Sequence, residues 1–214
     1  HQYDFAAQPE KGGRLMALHI KTLPALGIAA TNCYIIGDDT THEAVLIDPV
    51  DDAPRLMQSV SEAGWTLKLI LATHGHFDHV LASKALKDLS GAPFAINQHD
   101  DFMLKALPQT GLRFTGALFP EAATVDRYLT DAPEIIRVGN ITLETLFTPG
   151  HAPGHVAFYL REQNVLFAGD CLFAGSIGRT DLPGGNYAQL MESIVTVLLP
   201  LGDEVIVKTG HGPD

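Results

Sequence analysis

The chain has 214 residues, of which 46% are hydrophobic, and this is enough for one large domain with its own apolar core. Its formal net charge is −11 with only 14 Lys and Arg residues. This balance argues against a nucleic-acid partner, because such surfaces depend on basic side chains that meet phosphates. No apolar run approaches the roughly 18 residues that a membrane-spanning helix needs. The sequence therefore predicts a soluble chain with no membrane or nucleic-acid partner, located in the cytoplasm.

The amino-terminal segment, residues 1–15, is mostly polar and is interrupted by proline and glycine. We expect it to be a flexible leader or a remnant of cloning that lies outside the fold. The folded part is expected to be one domain over residues 16–214.

Strands and helices alternate along this domain in the order of the chain. In the first half, apolar runs between Gly and Pro residues predict strands over 15–20, 33–36, 44–47, 67–72 and 94–96. A helix is predicted from Asp51 or Asp52 to Ala63, with Pro54 in its first turn and Gly64 as its stop, and another over 78–89. The second half predicts strands over 135–138, 141–147, 156–160, 165–168 and 205–207, and a helix over 187–199. This alternation indicates an α/β fold.

Residues 106–133 are the least regular part of the sequence, with Pro108, Gly111 and Pro120 among a few large apolar residues. A loop of this length is either functional or poorly ordered. Two interpretations stay open: a flap that covers the substrate, and an apolar insertion packed on the flank of the domain.

Four potential metal ligands lie within six residues, directly after the apolar run 67–72: His74, His76, Asp78 and His79. Imidazole nitrogens and carboxylate oxygens are the ligands that zinc, iron and manganese bind. His74 and His76 share one side if the segment is extended, because side chains alternate along a strand. One short loop could therefore supply ligands to two metal ions.

Three further candidate ligands also follow predicted strands, in loops rich in Gly and Pro. His151 lies in the loop 148–155, Asp170 follows the strand 165–168, and His211 follows the strand 205–207. Strand ends of open α/β sheets are where functional groups gather. We therefore expect these loops to meet the first ligand loop.

The spacing His74-x-His76-x-Asp78-His79, with His151, Asp170 and His211 downstream, resembles the metallo-β-lactamase superfamily over nearly the whole chain. The segments 148–151, 169–173 and 175–185 resemble the short, single-domain bacterial branch of glyoxalase II, the hydroxyacylglutathione hydrolases. The resemblance implies a four-layer αβ/βα sandwich and a catalytic domain. It also implies a binuclear metal-dependent hydrolase that attacks a small-molecule thioester, an S-acylglutathione such as lactoylglutathione, with metal-bound hydroxide.

The resemblance also implies which residues bind which metal ion. His74, His76 and His151 would hold the first ion, Asp78, His79 and His211 the second, and Asp170 would bridge them. Asp78 and Asp170 would also be catalytic. A carboxylate suits the bridging position because it has two oxygens and a negative charge. Zinc is the expected metal, and iron and manganese also suit this mixture of ligands.

Two residues near this set have open roles. His155 could donate a hydrogen bond beside the metal ligands or fill structure. Arg179 could order the glycine-rich loop through a salt bridge to Asp181 or attract an anionic substrate.

Cys171 is expected to be buried, because a strand that continued past Ala168 would turn residues 170 and 171 to opposite faces.

The alternatives to a thioesterase are a lactonase or β-lactamase-like hydrolase, a mononuclear iron persulfide dioxygenase, and a binding module with a vestigial metal site. The resemblance implies that the dioxygenases lack a histidine at the position of His155. A vestigial site is typically marked by missing ligands, and all seven are present here. The sequence leaves the oligomeric state open.

Overall fold

The structure is a computed structural model that describes residues 18–213. The predicted leader, residues 1–15, and the beginning of the first predicted strand lie outside the described residues. Among the residues that are described, no helix is both long enough and apolar enough to cross a membrane.

Two mixed sheets form the centre of the fold. The first sheet contains, in spatial and chain order, β1 (Leu18–Leu26), β2 (Thr31–Asp38), β3 (Glu43–Ile47), β4 (Thr66–Leu71), β5 (Phe94–Asn97) and β6 (Arg127–Leu129). The second contains β7 (Ile135–Val138), β8 (Ile141–Phe147), β9 (Val156–Leu160), β10 (Val165–Gly169) and β13 (Ile206–Thr209), in the spatial order β13-β10-β9-β8-β7. A small hairpin between β10 and β13 is formed by β11 (Leu172–Phe173) and β12 (Ser176–Ile177).

The helices are α1 (Ala53–Glu62), α2 (Phe77–Val80), α3 (Ser83–Ser90), α4 (Asp101–Thr115) and α5 (Tyr187–Ser193), and α5 continues as a π-helical turn over Ile194–Leu198. Asp52 caps α1 by accepting a hydrogen bond from the Arg55 backbone N–H. Gly64 follows the helix with φ +76°, a left-handed conformation that suits glycine. Because α1 crosses between β3 and β4, those strands run parallel.

Apolar side chains fill three spaces between four layers. The first sheet packs on α1, α3 and α4 through residues such as Leu46, Leu56 and Leu86. The two sheets face each other through a second cluster that includes Ile36 and Phe158. The second sheet packs on α5 through a third cluster of buried residues, among them Tyr159, Leu190 and Ile194. The predicted αβ/βα sandwich is confirmed.

Two predictions about secondary structure were wrong. The helix predicted over 78–89 is two helices, α2 and α3, with a break at residues 81–82. The segment 106–133, read as irregular, begins inside α4, although Pro108 lies in the helix interior. Proline removes one backbone hydrogen bond there, but α4 buries Leu104 and Leu107 against the first sheet. Tertiary packing therefore outweighs the local penalty. After α4, Phe119 packs against the same cluster, in agreement with the flank interpretation.

Asp38, at the end of β2, joins the two sheets. Its carboxylate accepts hydrogen bonds from the backbone N–H of Asn140 (3.0 Å), the side-chain amide of Asn140 (2.8 Å) and the Thr41 hydroxyl (2.8 Å). Burial alone would raise the pKa of Asp38, but these hydrogen bonds outweigh burial and lower it to about 2. The ionised carboxylate is therefore the form that the fold stabilises.

We expect the hydrogen bonds of the Asp38 carboxylate to stabilise the folded state by an amount that depends on pH. The pKa of Asp38 is lowered in the folded state, so its contribution is present above pH about 4 and is lost as the pH falls through about 2. Asp38→Asn should lower the free energy of unfolding by about 1–3 kcal/mol at pH 7 and remove that part of the acid dependence. Urea unfolding between pH 2 and pH 7 measures both effects. Asp88→Asn, which changes an exposed carboxylate paired with Lys84, is the control, and an unchanged acid dependence in Asp38→Asn would contradict the prediction.

Candidate metal centre

All seven predicted ligands meet at one edge of the two sheets. Five of them lie in loops that follow strands, and Asp78 and His79 lie in α2. Their ligand atoms form three overlapping groups, within each of which the atoms lie within 4.8 Å of one another. The groups are His74, His76 and His151; His74, His79 and Asp170; and Asp78, His79 and His211. The structure therefore shows that the strand-end loops meet, as expected. The assignment of these residues as metal ligands remains a proposal.

In the first group, three imidazole nitrogens point at a common centre. His151 Nε2 lies 2.9 Å from His76 Nδ1 and 3.2 Å from His74 Nε2. A tetrahedral zinc ion with nitrogen ligands at about 2.05 Å separates them by about 3.3 Å. The spacing of the nitrogens therefore matches that of ligands to a single ion.

The tautomers of these imidazoles are set by their outer nitrogens. His151 Nδ1 donates to the backbone oxygen of Arg179 (2.7 Å), and His74 Nδ1 lies 3.0 Å from the Thr73 hydroxyl, which itself donates to Asp48 (2.9 Å). Neutral His74 and His151 thus face each other with two unprotonated Nε2 atoms, an arrangement that repels unless a cation lies between them. Burial, followed by the neighbouring imidazoles, lowers the pKa of His76 to about 3 and holds that of His74 well below its usual value. These lone pairs are available to a metal ion.

Asp48 is a functional residue that sequence reasoning missed. It is buried, and its carboxylate accepts hydrogen bonds from the Thr73 backbone N–H (2.7 Å), the Thr73 hydroxyl (2.9 Å) and His79 Nδ1 (2.9 Å). Because His79 Nδ1 is the donor, Nε2 is left to face the site. Asp48 directly follows β3, and the rule that polar residues after strands gather at the site could have identified it.

The second group lies at the mouth of the site. His211 Nε2 lies 3.2 Å from Asp78 Oδ2, and His79 Nε2 lies 3.6 Å from the same oxygen. The Thr31 hydroxyl donates to Asp78 Oδ2 (2.7 Å), and Thr31 also forms a β-bridge with His211. The His211 side chain is 29% exposed and that of His79 is fully buried, so a substrate would approach from the side of His211.

Asp170 lies between the two groups. Its Oδ2 is 3.4 Å from His151 Nε2 and 3.3 Å from His211 Nε2, and its Oδ1 is 3.4 Å from His79 Nε2. Both Asp170 Oδ1 and His79 Nε2 are buried, and among the described residues neither atom has a hydrogen-bond partner. Buried polar atoms are nearly always satisfied, so these two atoms, which face each other at 3.4 Å, fit a metal ion as a shared partner.

The charges at this position also favour a cation. Burial alone would raise the pKa of Asp170, but the imidazoles of His79 and His211 hold it well below its usual range. Burial would lower the pKa of His211, but hydrogen bonds to Asp170 and Asp78 raise it to about 10. Without metal, protons on these imidazoles balance the buried carboxylates. A divalent cation would replace those protons, so the residues present fit a metal centre.

His155 is fully buried and touches Asp170 through the backbone. Its Nε2 accepts a hydrogen bond from the Asp170 N–H (3.2 Å), while Nδ1 lies 2.9 Å from the Thr148 hydroxyl. Burial keeps the pKa of His155 well below its usual value, so the ring is neutral and can accept. His155 therefore holds the backbone of Asp170 in place, but towards Asp170 it accepts a hydrogen bond and does not donate one as expected.

Cys171 is buried on the opposite side from Asp170, although for a different reason than expected. The strand does not continue: β10 ends at Gly169, with φ +50°, and the Cys171 N–H bonds to the Ala168 carbonyl (3.1 Å). This tight turn places the thiol in the apolar cluster with Leu190. Burial raises the pKa of the Cys171 thiol to about 12, so it stays protonated and is a poor metal ligand.

Arg179 contributes to the site through its backbone. Its carbonyl accepts the hydrogen bond from His151, a role that the sequence did not reveal. Its guanidinium forms two 2.7 Å hydrogen bonds with Asp181, and both side chains are exposed. The salt bridge of the first interpretation is therefore present.

Comparisons with known proteins identify the family of the chain. The family model of the metallo-beta-lactamase superfamily matches residues 26–211. Hydroxyacylglutathione hydrolase GloC of Haemophilus influenzae is 41% identical over 196 residues, which cover 91% of this chain and 91% of that protein. The crystal structure of the BLEG-1 B3 metallo-beta-lactamase matches with a TM-score of 0.82 at 38% identity, covering 91% of this chain and 92% of that one. TTHA1623, crystallised in a di-iron-bound form, matches with a TM-score of 0.79 at 35% identity, covering 90% and 92%. The chain belongs to the metallo-beta-lactamase superfamily and is a metal-dependent hydrolase.

Proposed function

We propose that the chain is a thioesterase that hydrolyses S-acylglutathione substrates of the lactoylglutathione type at a centre of two divalent metal ions. The observation that carries the binuclear proposal is the position of Asp170. Its carboxylate reaches both groups of imidazoles, and its buried Oδ1 has no hydrogen-bond partner among the described residues. A bridging carboxylate offsets the repulsion between two cations.

Each metal ion would have its own set of ligands. One ion would be held by His74, His76 and His151, and the other by Asp78, His79 and His211. Asp170 would bind both ions. When bound, such a pair lowers the pKa of a shared water towards about 7 and polarises a carbonyl oxygen.

Side chains of the protein would orient the attacking water. Asp78 is held ionised, since its pKa is well below its usual range: burial would raise it, and His79 and His211 outweigh burial. Together with Asp170 it orients the attacking water by accepting its hydrogen bond. The oxygen of that water forms a bond to the acyl carbon, one O–H bond of the water and the carbon–sulfur bond break, and the thiol leaves with the proton that the water gave up.

The thioester substrate is supported by the similarity to GloC, which extends over nine-tenths of both chains. A second candidate, hydrolysis of β-lactams, is favoured by the similarity to the BLEG-1 lactamase. Zinc is the proposed metal, and the di-iron form of TTHA1623 supports iron as the alternative.

A substrate panel with the metal-replete protein tests the proposal. It contains S-lactoylglutathione, a simple acyl thioester without glutathione, a homoserine lactone and a chromogenic cephalosporin, with oxygen uptake on glutathione persulfide measured in parallel. We expect kcat/KM for S-lactoylglutathione to exceed that for the lactone and the cephalosporin by at least about 100-fold, or roughly 2.7 kcal/mol of transition-state binding. Turnover of the cephalosporin alone would support the lactamase, and oxygen uptake alone would support a dioxygenase. Bound metal without any turnover would support a binding module.

A further inference from the structure

Asp100 is a buried carboxylate outside the seven-residue set. It ends the short turn Gln98–Asp100 after β5 and stands directly before α4. A carboxylate at this position commonly caps the helix, but here the side chain makes no capping hydrogen bond. The residue is 0% exposed, so its carboxylate must be satisfied inside the protein.

The two oxygens of Asp100 bond to two different ligand loops. Oδ2 accepts a hydrogen bond from the Gly75 N–H (2.8 Å), and Oδ1 accepts one from the Gly154 N–H (2.6 Å). Gly75 lies between His74 and His76, and Gly154 lies three residues after His151. One carboxylate thus connects the backbones that carry all three imidazoles of the first group.

The contact at Gly154 requires glycine, and the contact at Gly75 leaves little room for a side chain. A Cβ atom on Gly154 would lie 2.7 Å from Asp100 Cγ, and one on Gly75 would lie 3.0 Å from Asp100 Cβ. Any larger residue at position 154 would push the loop away from the carboxylate. The close approach explains why neither loop carries a side chain at these positions.

We propose that Asp100 is a positioning residue that holds the loops 74–79 and 148–155 at the separation that the first metal ion needs. His151 and His76 come from different loops and lie only 2.9 Å apart at their ring nitrogens, so a small shift between the loops changes the coordination. The inference rests on the proposed metal centre and not on the identity of the substrate.

Asp100→Asn tests the proposal because asparagine keeps the shape of the side chain but turns an N–H group towards one of the two backbone donors. Asp101→Asn is the matched control, since the neighbouring carboxylate bonds to Tyr128 and Lys105 on the surface of α4. Zinc alone is titrated into metal-free protein against a chromogenic chelator at pH 8. Burial raises the pKa of Asp100 to about 6, so its carboxylate is ionised there.

We expect Asp100→Asn to weaken the binding of one of the two zinc ions about 10- to 100-fold and the control to change both affinities less than about twofold. Zinc should also raise the melting temperature of Asp100→Asn by less than it raises that of the unaltered chain. A merely structural role would lower the melting temperature of the metal-free protein and leave the zinc affinity unchanged, which would overturn the proposal. If Asp100→Asn does not fold, Gly154→Ala is used in its place. We expect it to weaken zinc binding in the same way, and an unchanged zinc affinity would again overturn the proposal. Absence of zinc binding in the unaltered chain would instead overturn the proposed function.

Discussion

Replacing Asp170 with alanine is expected to remove the second metal ion and to lower turnover by several orders of magnitude. The carboxylate lies within 3.4 Å of His79, His151 and His211, and it is the group that reaches both ligand groups. Its loss leaves two cations without a shared anion, and Asp78 and Asp48, which contact His79 and His211 but not His151, cannot replace it. Metal analysis of the purified variant and steady-state hydrolysis of S-lactoylglutathione measure the two effects.

Cys171→Ser is the matched control for Asp170→Ala, since it changes the neighbouring side chain on the other side of the turn. The thiol lies in the apolar cluster between the second sheet and α5. Serine there should lower the free energy of unfolding by about 1–3 kcal/mol through burial of a hydroxyl, while metal content and most activity are retained. Equal loss of metal from the two variants would contradict the assignment of Asp170 as the bridge.

The metal-replete protein is expected to contain two ions per chain and to lose all hydrolysis when a chelator removes them. Activity should return with added zinc. Asp78→Ala should reduce the stoichiometry to about one, because Asp78 belongs to the group with His79 and His211 and not to the group of three histidines.

Asp181→Ala provides the control for Asp78→Ala. Its carboxylate is exposed and pairs with Arg179, so its removal should leave two ions bound. A stoichiometry that stays near one in the unaltered chain, together with no change in Asp78→Ala, would contradict a binuclear site. Turnover that survives complete removal of metal would contradict the metal-dependent mechanism.

Much of the fold was predictable because its elements have strong local patterns. The strands predicted at 135–138, 141–147 and 156–160 have the bounds that the structure shows for β7, β8 and β9. Gly64 ends α1 where expected. By contrast, the second half of α4, residues 106–115, was read as irregular because Pro108 argues locally against a helix, and burial of Leu107 against a distant sheet decides the outcome.

The sequence by itself determined the α/β class, the strand-end loops and the seven candidate ligands, because strand periodicity and ligand chemistry can both be read from neighbouring residues. Only the tertiary structure decided how the ligands are held. Asp48 orients His79 across 31 positions of the chain, and Asp100 joins Gly75 to Gly154, 54 positions beyond Asp100. Such contacts depend on the packing of two sheets and have no local pattern. The histidines and aspartates were therefore recognisable as candidate ligands from sequence, while the groups that set their tautomers, charges and spacing were not.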